Sequence, residues 1–171
     1  IMNLNKNIVL IGMMGSGKST IGYLLSKSID LKFSDVDEVI EKEEGCKILN
    51  IFETKGEVYF RNLEEKITLK LLENKRNIIS LGGGGFLNKS IKKEVLNNNL
   101  SFWLSWKNST ILKRILKNKK RPLAFNSSKN NLKKLIRDRT KIYSEANYRI
   151  NCEDLTKNMI VNEIINLYEK N

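Results

Sequence analysis

The segment Gly12-Met-Met-Gly-Ser-Gly-Lys-Ser19 has the residue types and the spacing of a phosphate-binding loop. Its glycines let backbone N–H groups turn inward, and these amides hold phosphate oxygens together with the N-terminus of the helix that follows. Lys18 reaches the β- and γ-phosphates of a nucleotide, and Ser19 offers a hydroxyl to Mg²⁺. The alternative is a tight turn that binds nothing. A strand before the loop and a helix after it favour a nucleoside triphosphate site, although the loop does not identify the phosphate acceptor.

Two carboxylates follow the second predicted strand, at Asp35 and Asp37. They leave the same strand end as the phosphate-binding loop, and side chains two residues apart in an extended segment point to one face. One carboxylate there can lie near Mg²⁺ and the other on a substrate hydroxyl. The alternative is that either aspartate caps the helix that contains Val39 and Ile40. The position after a strand favours the functional interpretation.

Glycines and arginines supply the remaining candidates. Gly82 to Gly85 end the third predicted strand, where four glycines let a ligand approach the backbone; the alternative is a flexible turn. The chain uses lysine more than three times as often as arginine, so an arginine indicates a need for a forked cation that grips carboxylate or phosphate. The alternative for each is solvation of the surface. The candidates are Arg61, Arg114, Arg121, Arg137 and Arg139.

Alternating strands and helices must position these residues. Apolar runs predict strands over 7–11, 77–81 and 100–104, and we expect two further short strands over 32–35 and 148–151. Helical spacing predicts helices from Gly17, over 36–74 with breaks near Gly45 and Gly56, over 90–96, from an N-cap at Ser109 through 116, and over 131–143 and 156–170. The polar segment 117–130 predicts a mobile loop. This alternation predicts a single α/β domain over 1–171, with a parallel sheet covered on both faces and ligands at the carboxyl ends of its strands.

Composition excludes several classes of protein. The chain of 171 residues contains no histidine, which excludes a Ser-His-Asp triad and a His-ligated metal site. Cys46 and Cys152 are too few for a disulfide framework, and no apolar run could span a membrane. We therefore expect a cytoplasmic protein with no membrane partner. The net charge is +12, and residues 91–150 carry more than all of it, which indicates an anionic partner unless the lysines only solvate helix faces.

Taken together, the motifs resemble those of shikimate kinases, in family order over residues 7 to about 155. The resemblance rests on the phosphate-binding loop, on Phe33-Ser-Asp-Val-Asp37 with Ile40-Glu41, on Ile51-Phe52, Gly56-Glu57 and Phe60-Arg61 through Glu64-Glu65, on Ser80-Leu-Gly-Gly-Gly84, on Arg121-Pro122-Leu123, and on Arg139 with Tyr143. It implies a three-layer sandwich around a five-stranded parallel sheet, similar to nucleoside-monophosphate kinases, with a substrate-binding subregion over about 35–65 and a mobile lid over about 116–128.

The same resemblance implies ATP-dependent phosphorylation of the 3-hydroxyl of shikimate, on the route to chorismate and the aromatic amino acids. It implies Mg²⁺ as cofactor and a monomer whose partners are ATP and shikimate. The implied catalytic residues are Lys18, Asp37 and Arg121. The implied ATP-binding residues are Gly12, Gly15, Ser16, Gly17, Lys18, Ser19, Thr20, Arg114 and Arg121. The implied substrate-binding residues are Asp37, Arg61, Gly82, Gly83, Gly84, Arg139, Phe52 and Phe60, and the implied metal-side residues are Ser19 and Asp35.

Two alternatives stay open at this point. The first is another small-molecule kinase with a phosphate-binding loop, such as a gluconate or nucleoside-monophosphate kinase; the two aspartates, the glycine run and Phe60-Arg61 argue against it. The second is a nucleic-acid-binding protein, which the charge suggests. The chain has neither a basic strand rich in aromatic residues nor a recognition-helix pattern, so we expect no nucleic-acid partner.

Overall fold

Five short strands form the centre of the protein. The computed structural model describes residues 5–117 and 128–171. Its strands are β1 (Ile8–Ile11), β2 (Lys32–Asp35), β3 (Asn77–Ser80), β4 (Leu100–Ser105) and β5 (Tyr148–Asn151). All pairings are parallel, in the order β2-β3-β1-β4-β5, with Ile8 of β1 beside Ile78 of β3 and Leu100 of β4. The predicted parallel sheet is confirmed.

Helices connect these strands. The described helices are α1 (Lys18–Ile29), α2 (Val36–Glu44), α3 (Ile48–Glu73), α4 (Lys89–Asn98), α5 (Asn108–Lys117), α6 (Lys129–Tyr143) and α7 (Lys157–Glu169), with a 3₁₀ turn at Gly85–Leu87. The predicted breaks are present, because Gly45 ends α2 in a left-handed conformation and Gly56 kinks α3 with a φ of 82°. None of the helices within residues 5–117 and 128–171 is both long enough and apolar enough to cross a membrane.

Two apolar layers lie on opposite faces of the sheet. Alternate residues of β1 divide between them: Val9 and Ile11 face one layer, and Ile8 and Leu10 face the other. The first layer contains side chains of α2 to α6, and the second contains side chains of α1 and α7. Burial of β1 on both faces explains why its sequence is a continuous apolar run rather than an alternating one. The predicted three-layer sandwich is therefore confirmed.

The prediction that Ser109 caps α5 was wrong. The helix begins one residue earlier, at Asn108, so Ser109 lies inside its first turn. The carboxylate of Glu153, from the loop after β5, accepts from the Lys107 amide at 3.0 Å and from the Thr110 hydroxyl at 2.6 Å. The Thr110 hydrogen bond is the largest cause of a lowered Glu153 pKa. A distant carboxylate thus occupies the helix N-terminus, and local sequence does not reveal it.

The strand order places the functional segments at one edge of the sheet. After β1 the chain passes to one side for β2 and β3, and it then crosses to the other side for β4 and β5. A crevice forms where the chain changes sides, at the carboxyl ends of the strands. The phosphate-binding loop follows β1, Asp35 is the last residue of β2, and Gly82 follows β3, so all three lie at this edge.

Candidate active site

The loop between β1 and α1 has the backbone conformation of a phosphate cradle. Gly15 and Gly17 adopt left-handed conformations with φ of 78° and 93°, which residues with side chains rarely adopt. Lys18 is the first residue of α1, and its ammonium donates to the carbonyls of Gly12 at 2.8 Å and Met13 at 2.9 Å. Ser19 and Thr20 follow it in the first turn of α1. The cationic side chain and the helix N-terminus therefore meet at one point, where they favour a polyphosphate.

Asp35 has the helix-capping role that the sequence left open, and it also contacts Ser19. It ends β2 and caps α2, since its Oδ1 accepts from the Asp37 amide at 3.0 Å. Its Oδ2 accepts a hydrogen bond from the Ser19 hydroxyl. The expectation of an extended Asp35–Asp37 segment was wrong, because Asp37 lies in the first turn of α2. Both carboxylates nevertheless line the same cavity as Ser19.

The Ser19 and Asp35 oxygens fit Mg²⁺. This cation prefers oxygen ligands and in phosphotransfer sites is held by one or two carboxylates together with substrate phosphates and water. Within residues 5–117 and 128–171, no group of three or more Cys, Asp or Glu side chains is placed to hold a metal ion. A hydroxyl and a carboxylate in contact beside the phosphate-binding loop are therefore the appropriate donor set for a metal that arrives with a nucleotide.

A cavity of about 820 Å³ opens beside the phosphate-binding loop. Seven of the eight predicted substrate-binding residues line it: Asp37, Phe52, Phe60, Arg61, Gly83, Gly84 and Arg139. Its lining also includes Met14, Ser19, Asp35 and Glu64. Gly82 lies behind this wall, where an added Cβ would be 2.6 Å from Glu64 Oε1 and 2.8 Å from Asp37 Oδ1. The structure thus brings the predicted acidic, basic and glycine residues together around one space.

Arg61 and the buried Glu64 form an ion pair on α3. Arg61 Nη1 donates to Glu64 Oε2 at 2.7 Å, and Glu64 is only 2% exposed. Burial raises the pKa of Glu64, and the guanidinium of Arg61 opposes that rise. From the sequence, Glu64 has no assigned role beyond its place in the resemblance to shikimate kinases. Its one signal was the three-residue spacing from Arg61, which places both side chains on one face of a helix.

Arg139, on α6, brings a second guanidinium to the cavity. It is 4% exposed, and its Nε has no hydrogen-bond partner among the described residues. Its Nη1 lies 4.0 Å from the sulfur of Met13. A buried guanidinium with an unsatisfied N–H is costly unless an anion completes it. Arg139 thus brings a cationic group with an unsatisfied N–H to the wall of the cavity.

Aromatic rings and a tyrosine complete the walls. The rings of Phe52 and Phe60 pack with their centroids 4.7 Å apart on the kinked α3, and both line the cavity. Tyr143 donates its hydroxyl to the Gly83 carbonyl, and that hydroxyl lies 3.6 Å from the sulfur of Met13. Tyr143 therefore joins the glycine run to the phosphate-binding loop from the end of α6.

Two further arginine candidates, Arg114 and Arg137, lie apart from this cavity. Arg114, in the last turn of α5, donates to the Gly15 carbonyl at 3.2 Å, so it lies against the outside of the phosphate-binding loop. Arg137 is exposed on α6 and does not line the cavity. Arg121 lies outside the described residues, as does most of the segment predicted to be a lid.

Comparison with known proteins agrees with this geometry. The family model described as "Shikimate kinase" matches residues 14–169. A shikimate kinase of Persephonella marina is 40% identical over 160 residues, covering 94% of this chain and 97% of that protein. The structure of a shikimate kinase from Acinetobacter baumannii in complex with shikimate has a TM-score of 0.86 and 30% identity, covering 97% of this chain and 93% of that one.

A more distant kinase shares the fold alone. The deoxyadenosine kinase of M. mycoides with bound dATP has a TM-score of 0.62 at 20% identity, covering 95% of this chain and 98% of that one. The fold is therefore that of small-molecule kinases with a phosphate-binding loop, and the alternative of a gluconate or nucleoside-monophosphate kinase is not favoured. The cavity residues, the family model and the relatives agree, and the chain belongs to the shikimate kinase family, the enzymes that phosphorylate shikimate with ATP.

Proposed function

We propose that this chain transfers the γ-phosphoryl group of ATP to the 3-hydroxyl of shikimate, giving shikimate 3-phosphate and ADP. The observation that carries the proposal is the arrangement of two guanidinium groups and the Asp37 carboxylate in a single cavity beside the phosphate-binding loop. Arg61, Arg139 and Asp37 supply them. Shikimate is a small carboxylate with several hydroxyls, so it needs cationic donors at one end and an acceptor at the other.

The two arginines bind the substrate carboxylate. A guanidinium carries five N–H donors, so the pair between Arg61 and Glu64 leaves donors that can reach a second carboxylate. The Nε of Arg139 supports the same role, because it is buried without a hydrogen-bond partner among the described residues. Phe52 and Phe60 enclose the ring of the substrate, and Gly83 and Gly84 let it approach the backbone.

Asp37 orients the reacting hydroxyl and accepts its proton. The substrate oxygen then attacks the γ-phosphorus, and the bond from that phosphorus to the β,γ-bridging oxygen breaks, so ADP leaves. Phosphoryl transfer has a loose transition state in most analyses, so positioning and charge compensation supply most of the catalysis. Lys18 compensates charge on the phosphates, and we propose the same role for Arg121.

Mg²⁺ completes the proposed nucleotide site. Ser19 and Asp35 would hold it, and when bound it neutralises charge on the β- and γ-phosphate oxygens. The hydrogen bond between the Ser19 hydroxyl and Asp35 keeps these two oxygens together beside the loop. We further propose that residues 1–171 work as one monomeric domain in the cytoplasm, with residues from about 35 to 65 as its substrate-binding part.

An ADP-release assay tests the proposal. Purified protein with Mg²⁺–ATP is given shikimate, gluconate or a nucleoside monophosphate in parallel. We expect strong stimulation by shikimate alone, and stimulation by another acceptor instead would contradict the proposal. Lys18→Ala should abolish transfer, whereas Lys27→Ala, an exposed lysine on the same helix, should keep the activity. Circular dichroism of both variants establishes that they are folded.

A further inference from the structure

Trp106 contacts the phosphate-binding loop from outside. It lies between β4 and α5, and its indole Nε1 donates to the Ser16 carbonyl at 2.9 Å, across 90 residues of sequence. The ring is half-buried and packs against both apolar layers of the fold. A tryptophan N–H in such a place needs a partner, and here the partner is a backbone oxygen of the loop rather than water.

This hydrogen bond determines where the next amide points. The described peptide bonds are all trans, so the carbonyl and the N–H of one peptide unit point in opposite directions. A donor that holds the Ser16 carbonyl outward therefore holds the Gly17 N–H toward the inside of the loop, where phosphate binds. Gly17 belongs to this peptide unit and Gly15 precedes it by one residue, and both adopt left-handed conformations. Glycine gives the backbone unusual freedom at both points, so an external donor matters more here than in a regular helix.

Trp106 also supports Arg114. The guanidinium carbon of Arg114 lies 3.7 Å from the centroid of the Trp106 ring, which is a close cation–π contact. The same guanidinium donates to the Gly15 carbonyl at 3.2 Å. The indole thus contributes to holding two consecutive carbonyls of the loop, one directly and one through Arg114.

We propose that Trp106 is a positioning residue for the nucleotide site. It keeps the Gly17 amide directed at the phosphates and keeps Arg114 flat against the loop. The inference rests on the proposed ATP site. Trp106 acts through the loop and does not touch the reacting atoms. Shikimate binds on the other side of the loop, between α2, α3 and α6, so Trp106 should influence ATP and ADP and leave shikimate affinity unchanged.

Two substitutions separate the contributions of Trp106. Trp106→Phe keeps an aromatic ring for Arg114 but removes the N–H, and Trp106→Leu removes both. Loss of one hydrogen bond predicts an increase of about three- to tenfold in the KM for ATP and in the Kd for ADP with Trp106→Phe. Trp106→Leu should increase both by about tenfold or more. The KM for shikimate should stay within about twofold in both variants.

Trp103→Phe is the matched control. Trp103 is the only other tryptophan, lies three residues earlier, and is more deeply buried than Trp106. Its ring contacts Tyr143 and Arg149. The Trp103→Phe protein should lose at least as much stability as the Trp106→Phe protein, yet it should bind ADP with the wild-type Kd. If Trp103→Phe weakens ADP binding equally, or if Trp106→Phe binds ADP within about twofold of wild type, the proposal is overturned.

Calorimetric titration with ADP distinguishes failure of this inference from failure of the proposed function. ADP binding requires no phosphate acceptor, so the Kd values can be compared whatever the acceptor is. Wild-type protein that binds ADP but does not phosphorylate shikimate would contradict the proposed function alone. Weaker ADP binding by Trp106→Phe in that protein would still support the positioning role of Trp106.

Discussion

Arg61 and Glu64 pair at 2.7 Å at the wall of the cavity, and the acid is the more deeply buried partner. A buried carboxylate requires an ionic or hydrogen-bonded partner, and Arg61 provides it. The same contact restricts the rotamers of a long side chain that would otherwise be free to move. Glu64 therefore holds the Arg61 guanidinium at the cavity wall before the substrate arrives.

Replacing either member of this pair should weaken shikimate binding. Arg61→Ala removes a charge-assisted contact to the substrate carboxylate, so the KM for shikimate should rise about 10- to 100-fold while the KM for ATP stays within about twofold. Glu64→Gln keeps Arg61 but loosens it, and should raise the KM for shikimate about three- to tenfold. Steady-state kinetics with each substrate varied in turn measures both effects.

Glu57→Gln is the matched control for Glu64→Gln. Glu57 lies 3.4 Å from Arg61 Nε, but its side chain is 57% exposed. Exposed pairs contribute little, so this substitution should change the KM for shikimate by less than about twofold. Equal effects of the two substitutions would mean that burial of Glu64 has no part in positioning Arg61.

Glu64 and Glu65 are neighbouring acids on α3, and their contributions to the stability of the protein should change with pH in opposite directions. Burial raises the pKa of Glu64, so the folded state binds more protons than the unfolded state above the ordinary carboxyl pKa, and stability falls as pH rises through that window. Hydrogen bonds from Asn88 and Ser90 lower the pKa of Glu65, so its contribution is present above the ordinary pKa and is lost as pH falls.

Urea denaturation of wild type, Glu64→Gln and Glu65→Gln between about pH 3 and about pH 7 measures these contributions. Relative to wild type, Glu64→Gln should become less destabilising as pH rises above the ordinary carboxyl pKa. Glu65→Gln should become more destabilising as pH rises toward that value from below. Parallel pH profiles for the two variants would contradict the opposite pKa directions.

Asp37→Asn should reduce kcat far more than it changes either KM. An amide can still contact a hydroxyl but cannot accept its proton, and a positioned general base contributes about 10²- to 10⁴-fold to a rate. Glu38→Gln is the control, since Glu38 is exposed, lines the same cavity and loses the same unit of charge. If Glu38→Gln lowered kcat equally, the total negative charge of the cavity would explain the effect, and Asp37 would have no specific role.

The sequence predicted the fold because its signals are local. Apolar runs located β1, β3 and β4, the strands at the centre of the described sheet, to within about two residues. The phosphate-binding loop and Asp35 lie at strand ends, so the parallel topology alone brings them together.

The sequence could not reveal contacts between distant segments. Glu153 takes the place of the predicted Ser109 cap. It accepts a hydrogen bond from the Lys107 amide, which lies 46 residues earlier in the sequence. In the sequence, Glu64 is one of several charged residues on an amphipathic helix. Only the structure shows that the glycine run packs over it. Trp106 could be predicted only as apolar, because its partner is the backbone of Ser16. Periodicity indicates which face of an element is buried, and it carries no information about which segment covers that face.

Gly84 and Gly85 provide a direct test of how the glycine run serves the site. An added Cβ at Gly84 would lie 2.5 Å from Arg61 Nη1, whereas one at Gly85 would meet the Leu81 Cβ at an ordinary 3.5 Å. The backbone of Gly84, with φ of −99° and ψ of −11°, accepts alanine. Gly84→Ala should therefore displace the flexible end of Arg61 at little cost in stability, and raise the KM for shikimate about tenfold. Gly85→Ala should stay within about twofold of wild type.

A double substitution establishes whether Gly84 acts through Arg61. If displacement of the guanidinium is the whole effect of Gly84→Ala, then adding that change to Arg61→Ala should not raise the KM for shikimate further. Thermal denaturation of all four proteins checks that each is folded at the assay temperature. Additive increases would mean that the new methyl group blocks the substrate itself. In that case Gly84 contacts shikimate directly, and its lack of a side chain is required for the ligand rather than for Arg61.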